Sequence, residues 1–347
     1  MAETIKGGVA TVLRQLVSPN DNFNFLCLIP EEQKQELSGL SQIATFKRTG
    51  RNIGSLLNLA IVFYKVVKTY KPDVIHLHST FAGVICRVII PIFFFSSRPK
   101  VIYCPHAFSF LMKTSFLKKK VYAVIEKFLQ LFTDKIICVS RYEYDEGIKF
   151  GLDSRKMVVI YNSVEPPIDT SGMTSPYKSG EKINILFVGR LDYQKGFDVV
   201  MQLSDRLDDR FHITVVGDRV HSDFSISPQE NMTFTGWLQK DLISPYFYYG
   251  DFLLMPSRWE SFGLSAVEAQ SYGMPVVATN CSSLPEVVRE KETGFLFFPD
   301  DIDEAYAIIN SLDRDLLNKM KESSFKFYSE NFSTEKMCNK VYSVYFD

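Results

Sequence analysis

The chain has 347 residues, 46% hydrophobic and 23% charged, with a formal net charge of −1. That is long and apolar enough to bury two cores, and it excludes disordered and fibrous classes. The charge is uneven: residues 1–165 hold 22 Lys and Arg against 13 Asp and Glu, leaving 17 against 27 in the rest, so the halves carry about +9 and −10 and are expected to meet different partners.

The six cysteines, Cys27, Cys86, Cys104, Cys138, Cys281 and Cys338, have no C-x-x-C spacing and read as reduced thiols of a cytoplasmic protein. The most apolar stretch, "VICRVIIPIFFF" (84–95), is shorter than the roughly 20 residues of a spanning helix and contains Arg87 and Pro91. The opening "MAETIKGGVA" has neither the basic nor the apolar region of a secretory signal.

In chain order, short β-branched or aromatic runs alternate with helical patterns. "IKGGVATVLRQL" is a glycine turn entering a helix; "FNFLCLI", a helix at 52–70, "DVIHLH", a helix at 81–94 and "KVIYCPH" follow. Helices at 116–132 and 141–150 then alternate with "DKIICVS" and "KMVVIYN". Strands alternating with helices of this length predict parallel sheets covered on both faces. "SVEPPIDTSGMTSPYKSGEK" (163–182) reads as a linker.

Beyond it come "INILFVG", a helix at 196–209, "FHITVVG", "NMTFTG", a helix near 239–248, "DFLLMPS", a helix near 262–273, "PVVAT", 283–291, "TGFLFF" and two closing helices. Two α/β halves predict a cleft between them, with ligands beyond the carboxyl ends of the strands. A doubly wound domain normally has a buried strand before its first glycine turn. Here that strand is expected to be missing, through truncation, a misplaced start or a domain that lacks it.

Two stretches carry chemistry. In "RWESFGLSAVEAQSYGMPVVAT" (258–279), Glu260 falls in a turn after a buried strand and Glu268 about two helical turns further on, with Gly273 and Pro275 ending the helix. The two carboxylates are then about 12 Å apart along the axis, close to the length of a nucleotide-sugar. The helix start at Phe262–Ser265 offers free N–H groups to an anion, and Gly263 permits close approach. Otherwise Glu260 is a helix-start carboxylate and Glu268 a solvated side chain. In "LFVGRLDYQKGFD", Arg190 and Lys195 lie beyond a strand's carboxyl end and suit a diphosphate; otherwise Arg190 pairs with Asp192 and Lys195 is a surface lysine. The acidic "DDIDE" (300–304) reads as a solvated helix start, not a metal motif. No G-x-G-x-x-G follows a strand, which argues against a dinucleotide oxidoreductase.

Together with "GGVA", "DVIHLHS", "PHAFSF", "IICVS", "VIYNSV", "FTGW", "LPEVV" and "GFLF", these stretches resemble the retaining glycosyltransferases of family four over nearly the whole chain. "PHAFSF" is most similar to bacterial capsule, O-antigen and exopolysaccharide enzymes. The resemblance implies the GT-B fold: α/β, with two Rossmann-like doubly wound domains facing a cleft. The domains are expected at 1–165, on the acceptor side, and 166–328, binding the nucleotide-sugar, with 329–347 a helix returning toward the first.

By the same resemblance, Glu268 would bind the donor ribose and Glu260 would face the donor sugar, while Phe262, Gly263 and Leu264 would present amides. Arg190 and Lys195, beside Gly189, would hold the diphosphate and take up its charge. His106 matches the donor-sugar histidine; Ser140, Asn162 and Gly236 match positions lining the donor, and Gly7 and Gly8 the loop near its phosphates. His76 and His78 are read as alternating, one to the core and one to the cleft, with His78 chosen for the acceptor side. "NSV" departs from the family's Asn-Gly-Val.

The resemblance further implies a retaining, metal-independent transfer with no assigned general base and no cofactor. The donor is a nucleotide-sugar, a UDP-sugar ahead of a GDP-sugar, and the acceptor a lipid-linked bacterial surface glycan; nucleic acid is not a partner. "FLMKTSFLKKKVYAVIEKFLQLF" (110–132) mixes lysines with Phe, Leu and Val, as on a surface resting on anionic lipid, or as an ordinary amphipathic helix. The first places the protein at the cytoplasmic face of the inner membrane. Other readings are a non-catalytic nucleotide-sugar-binding subunit and a nucleotide-sugar epimerase of the same fold.

Overall fold

The computed structural model describes residues 1–347 except 6, 19–21, 38, 41, 170–171, 178–180, 220–228 and 347. Part of the expected linker, and Lys6 of the opening turn, lie outside the described residues. The chain divides into two compact units, Met1–Asn162 with Glu335–Asp347, and Ser163–Thr334.

In the first unit α1 (Gly8–Leu16) precedes β1 (Cys27–Pro30) and β2 (Ile43–Phe46), which pair in parallel. Then come α2 (Ile53–Tyr70), β3 (Val74–His78), α3 (Thr80–Phe93), β4 (Lys100–Cys104), α4 (Phe116–Leu129), β5 (Lys135–Cys138), α5 (Arg141–Lys149) and β6 (Met157–Val159). The strands β3-β4-β5-β6 form a parallel sheet in that order. Strand β2 has no counterpart in the sequence reading, since four residues are too few to show a period.

As expected, no full strand precedes α1 among the described residues. Residues 1–3 lie between β1 and β3: the Ala2 N–H donates to Leu28 O at 3.1 Å, and His78 N–H donates to Met1 O at 2.8 Å. Ala2 bridges His78 in parallel and is fully buried. A single bridge there joins the two sheets, so three residues do the work of a strand.

Helix α2 starts at Asn52, whose side chain accepts from Ser55 N–H at 2.9 Å, and stops at Lys71 in the left-handed region before Pro72. A right-handed crossover from β2 back to β3 puts α2 on the same face as α3 and α4. There Arg87 of α3, wholly buried, donates to Glu126 of α4 at 2.8 Å and to Gly83 O at 2.8 Å. Its guanidinium also lies 3.8 Å from the Tyr103 ring centroid. A buried charge is tolerated only with such partners, and this one locks α3, β4 and α4 together.

The second unit holds β7 (Ile183–Val188), α6 (Phe197–Ser204), β8 (Phe211–Val216), β9 (Met232–Gly236), α7 (Lys240–Tyr249), β10 (Phe252–Met255), α8 (Leu264–Ser271), β11 (Val276–Thr279), α9 (Leu284–Val287) and β12 (Gly294–Phe297). Its parallel sheet runs β12-β11-β10-β7-β8-β9, buried in a core that includes Phe187, Phe197, Phe211 and Phe252. The order reverses at β7, and the gap between the carboxyl ends of β7 and β10 is the topological switch point. Three closing helices follow where the sequence reading has two: α10 (Ile302–Ser311), α11 (Arg314–Asn331) and α12 (Thr334–Phe346). From Glu335 onward α12 belongs to the first unit, where Tyr342 donates to Leu16 O at 2.8 Å.

Candidate active site

In the second unit the chemistry gathers at the switch point. Strand β7 delivers Gly189 and Arg190, and the following turn delivers Lys195; β10 delivers the turn that carries Glu260. The Lys195 ammonium donates to Glu260 Oε1 at 2.6 Å, and the Ser257 hydroxyl donates to the same oxygen at 2.8 Å. Arg190 stands beside them, bonded to Gln194 Oε1 at 2.6 Å and 3.1 Å from Asp192 Oδ2. Its side chain is 42% exposed, so the guanidinium is available to an incoming anion.

The turn is held by a residue the sequence reading passed over. Arg258 donates to both carboxylate oxygens of Asp198, at 2.7 and 2.6 Å, and to Asp300 at 2.7 Å, and its guanidinium lies 3.7 Å from the Tyr193 ring centroid. These carboxylates hold it above even the ordinary arginine range. Arg258 N–H donates to Gln194 O at 2.8 Å, and the Gln194 amide to Trp259 O at 3.2 Å, so the two turns are laced together. Gly196, at φ 66°, starts α6; a Cβ there would sit 2.0 Å from Pro256 O, so only glycine allows the approach.

Helix α8 begins at Gly263, φ 98°, with no side-chain cap, and its first intrahelical donor is Ala266 N–H. The amides of Leu264 and Ser265 therefore precede the helical ladder and favour negative charge. Phe262 is buried, its ring 5.7 Å from Phe332, so its side chain belongs to the core of the second unit and does not offer a surface to a ligand. Glu268, half-buried within α8, does not join Glu260: the charged groups acting on it are Lys240 and Glu165. Burial pushes its carboxyl up to about 7, Lys240 opposing and Glu165 adding to the shift. Gly236 ends β9 at φ 72° in open space, its carbonyl accepting from Gly217 N–H at 3.0 Å.

In the first unit His106 follows β4 with φ 55°, a conformation uncommon for a side-chain-bearing residue. Its Nε2 is 2.9 Å from His78 Nδ1. His76 and His78 do not alternate: their rings are 4.0 Å apart, because residues two apart on a strand share a face. His76 Nδ1 lies 2.8 Å from the Tyr345 hydroxyl. Burial lowers all three imidazoles, His106 to about 4. They are neutral at pH 7.

These histidines share a hollow with Asn162, Cys104 and Val12 of α1. Gly7 and Gly8 open α1 at its exposed end, Gly7 at φ 58° with nothing near its Cβ position. The Ser140 hydroxyl caps α5, accepting from Glu143 N–H at 3.1 Å, and is fully buried. Glu143, which the sequence reading also passed over, accepts from Val139 N–H at 2.8 Å and Phe108 N–H at 3.2 Å, fixing the loop after His106. His78, Cys104 and His106 bring three ligand-type atoms within 4.8 Å of one another. Burial drives the Cys104 thiol well above its usual range.

A profile described as "Glycosyltransferase Family 4" matches residues 7–166, and one described as "Glycosyl transferases group 1" matches 182–315. An uncharacterized 41.2 kDa protein in the cps region of Klebsiella pneumoniae is 42% identical over 355 residues, covering 99% of this chain and 98% of that one. The Escherichia coli UDP-Gal:alpha-D-GlcNAc-diphosphoundecaprenol alpha-1,3-galactosyltransferase is 26% identical over 86% of this chain and 81% of its own. The crystal structure of Anabaena HepE with UDP and glucose superposes with a TM-score of 0.80 at 19% identity, covering 99% of this chain and 97% of that one. Two units built on parallel sheets are the architecture of GT-B proteins. The chain belongs to glycosyltransferase family 4.

Proposed function

We propose that the protein transfers a sugar, with retention at the anomeric carbon, from a nucleotide-diphosphate donor to a lipid-linked glycan of the bacterial surface, a UDP-sugar being preferred to a GDP-sugar. The observation that carries the reading is the grouping of Arg190, Lys195 and Glu260 across the switch point, beside the uncapped start of α8. Two cations and a helix start can take up the charge of a departing nucleoside diphosphate without a divalent ion. Glu260 draws Lys195 into position and leaves one carboxylate oxygen for a sugar hydroxyl. Glu268 would accept from the ribose hydroxyls, and the neutral imidazole of His106, oriented by His78, would hydrogen-bond the donor sugar. The K. pneumoniae relative in a cps region and the E. coli galactosyltransferase, whose name specifies a diphosphoundecaprenol-linked acceptor, favour a capsule or O-antigen product made at the cytoplasmic face of the inner membrane.

The test is a thermal-shift and product screen of the purified chain against UDP- and GDP-sugars, with Glu268→Ala and Arg190→Ala as controls. A shift with one donor, lost in both variants, together with slow release of free sugar of retained configuration, is expected. A C2-epimerised donor in the absence of acceptor would instead identify an epimerase, and donor binding without transfer or hydrolysis a binding subunit.

A further inference from the structure

We propose that the outer face of α2, α3 and α4 is a docking surface for an anionic lipid bilayer. Eighteen of the 27 exposed large apolar side chains among the described residues fall between 53 and 131. The same span carries 11 Lys and Arg against two acids, Asp73 and Glu126; Arg87 and Glu126 neutralise each other in a buried pair, which leaves ten cations against Asp73. A surface both greasy and strongly positive fits neither plain solvent nor a neutral apolar partner.

Helix α4 shows the design. Its buried strip is narrow: Ala123, Glu126 and Leu129. At about 100° per residue, the side directly opposite carries Leu117, Val121, Val124 and Phe128, spaced i, i+4, i+7, i+11. These are between 50% and 72% exposed. An outward stripe on a helix facing water would be polar. Lys120 and Lys127 flank this stripe on one side and Lys118 on the other, where their stems can lie along acyl chains and their ammonium groups reach lipid phosphates.

Helix α3 extends the surface with Val88 and Ile92, and Phe95 beyond its end is 84% exposed. Because Arg87 and Glu126 lock α3 to α4, the two outward stripes form one rigid surface. Helix α2 adds Ile53, Leu57 and Ile61, followed by Lys65 and Lys68 on its exposed side. It is long and apolar enough to cross a bilayer by length and composition, but Leu59, Phe63 and Val67 pack into the core of the first unit, so it lies within the layer. Each lysine near an anionic surface adds attraction, and the apolar stripe adds insertion.

The inference deepens the proposed membrane-linked acceptor and rests on it for its occasion, so the experiment separates the two. Flotation of the full chain would be measured with vesicles of phosphatidylethanolamine and phosphatidylglycerol, and with phosphatidylcholine alone. Binding to the anionic vesicles at least tenfold tighter is expected, falling at least tenfold in Leu117→Glu with Phe128→Glu and in Lys118→Glu with Lys120→Glu. Ile92→Glu with Phe95→Glu repeats the test on α3 should the first pair fail to fold, with circular dichroism and the donor thermal shift as folding controls. No flotation of the wild type with anionic vesicles, or flotation unchanged in all folded variants, overturns the proposal. So does a dimer in sedimentation that Leu117→Glu with Phe128→Glu dissociates, since a second copy then covers the face. Donor hydrolysis measured without vesicles reads the transferase separately: hydrolysis without flotation sinks the surface alone, and flotation without hydrolysis sinks the transferase alone.

Discussion

Glu268 gives the sharpest test of the donor site, because its protonation is set by where it sits. Burial raises its carboxyl from 4.5 to about 7, an upper limit of about 3 kcal/mol against ionisation in the folded chain. A raised pKa means the folded state holds the proton longer than the unfolded state. The contribution to stability is fully present below about pH 4.5 and is lost as pH rises through about 7. Ribose hydroxyls donating to the carboxylate would favour its ionised form, so donor affinity should rise with pH over the same window.

At about pH 6 roughly a tenth of the carboxyls are ionised, so a nucleotide-sugar should bind about tenfold more weakly than at about pH 8. The assay is calorimetric titration across that range with whichever donor gives the largest thermal shift; its phosphodiester groups do not titrate there. His106, at about 4, is already neutral and adds no slope. Glu268→Gln should bind more weakly at high pH and with a flat profile. A flat wild-type profile, or a Gln variant that keeps the slope, would refute the ribose assignment.

Further perturbations probe the scaffold and the reacting end. Gly196→Ala puts a Cβ 2.0 Å from Pro256 O at φ 66°, so urea unfolding should show a loss of at least about 2 kcal/mol; a change below about 0.5 would mean the two turns part freely. Lys195→Met leaves the Glu260 carboxylate with the Ser257 hydroxyl among the described residues, and turnover should fall about 100-fold with a smaller change in KM, read from steady-state kinetics. Arg258→Met removes the clamp on Asp198 and Asp300; a loss of about 2 kcal/mol in thermal unfolding, with weaker donor binding, is expected. His78→Phe deprives His106 Nε2 of its partner, and kcat should drop about tenfold while donor affinity holds.

The alternation of strands and helices was legible because the central strands are buried on both sides and so largely apolar, as β10 is throughout and β7 is apart from Asn184. The positions of Arg190, Lys195 and Glu260 followed from the rule that chemistry collects beyond strand carboxyl ends. Their pairing did not, since 65 residues separate Lys195 from Glu260 and only the crossing from β7 to β10 brings them to 2.6 Å. Arg258 and Glu143 escaped for the same reason: each acts through partners on other elements, and a charged residue beside a motif carries no local sign of being clamped.

The histidine pair was a different failure, because the strand's period of two already puts His76 and His78 on one face. The outer surface of the first unit shows what periodicity cannot deliver. In α3 the stretch "VICRVIIPIFFF" is apolar nearly all round, a pattern that ordinarily marks a fully buried helix. Which of its residues face water depends on where Arg87 is anchored, and Glu126, 39 positions away, decides that. On the proposed docking, the greasiness of this helix on both sides reflects a core on one side and a bilayer on the other.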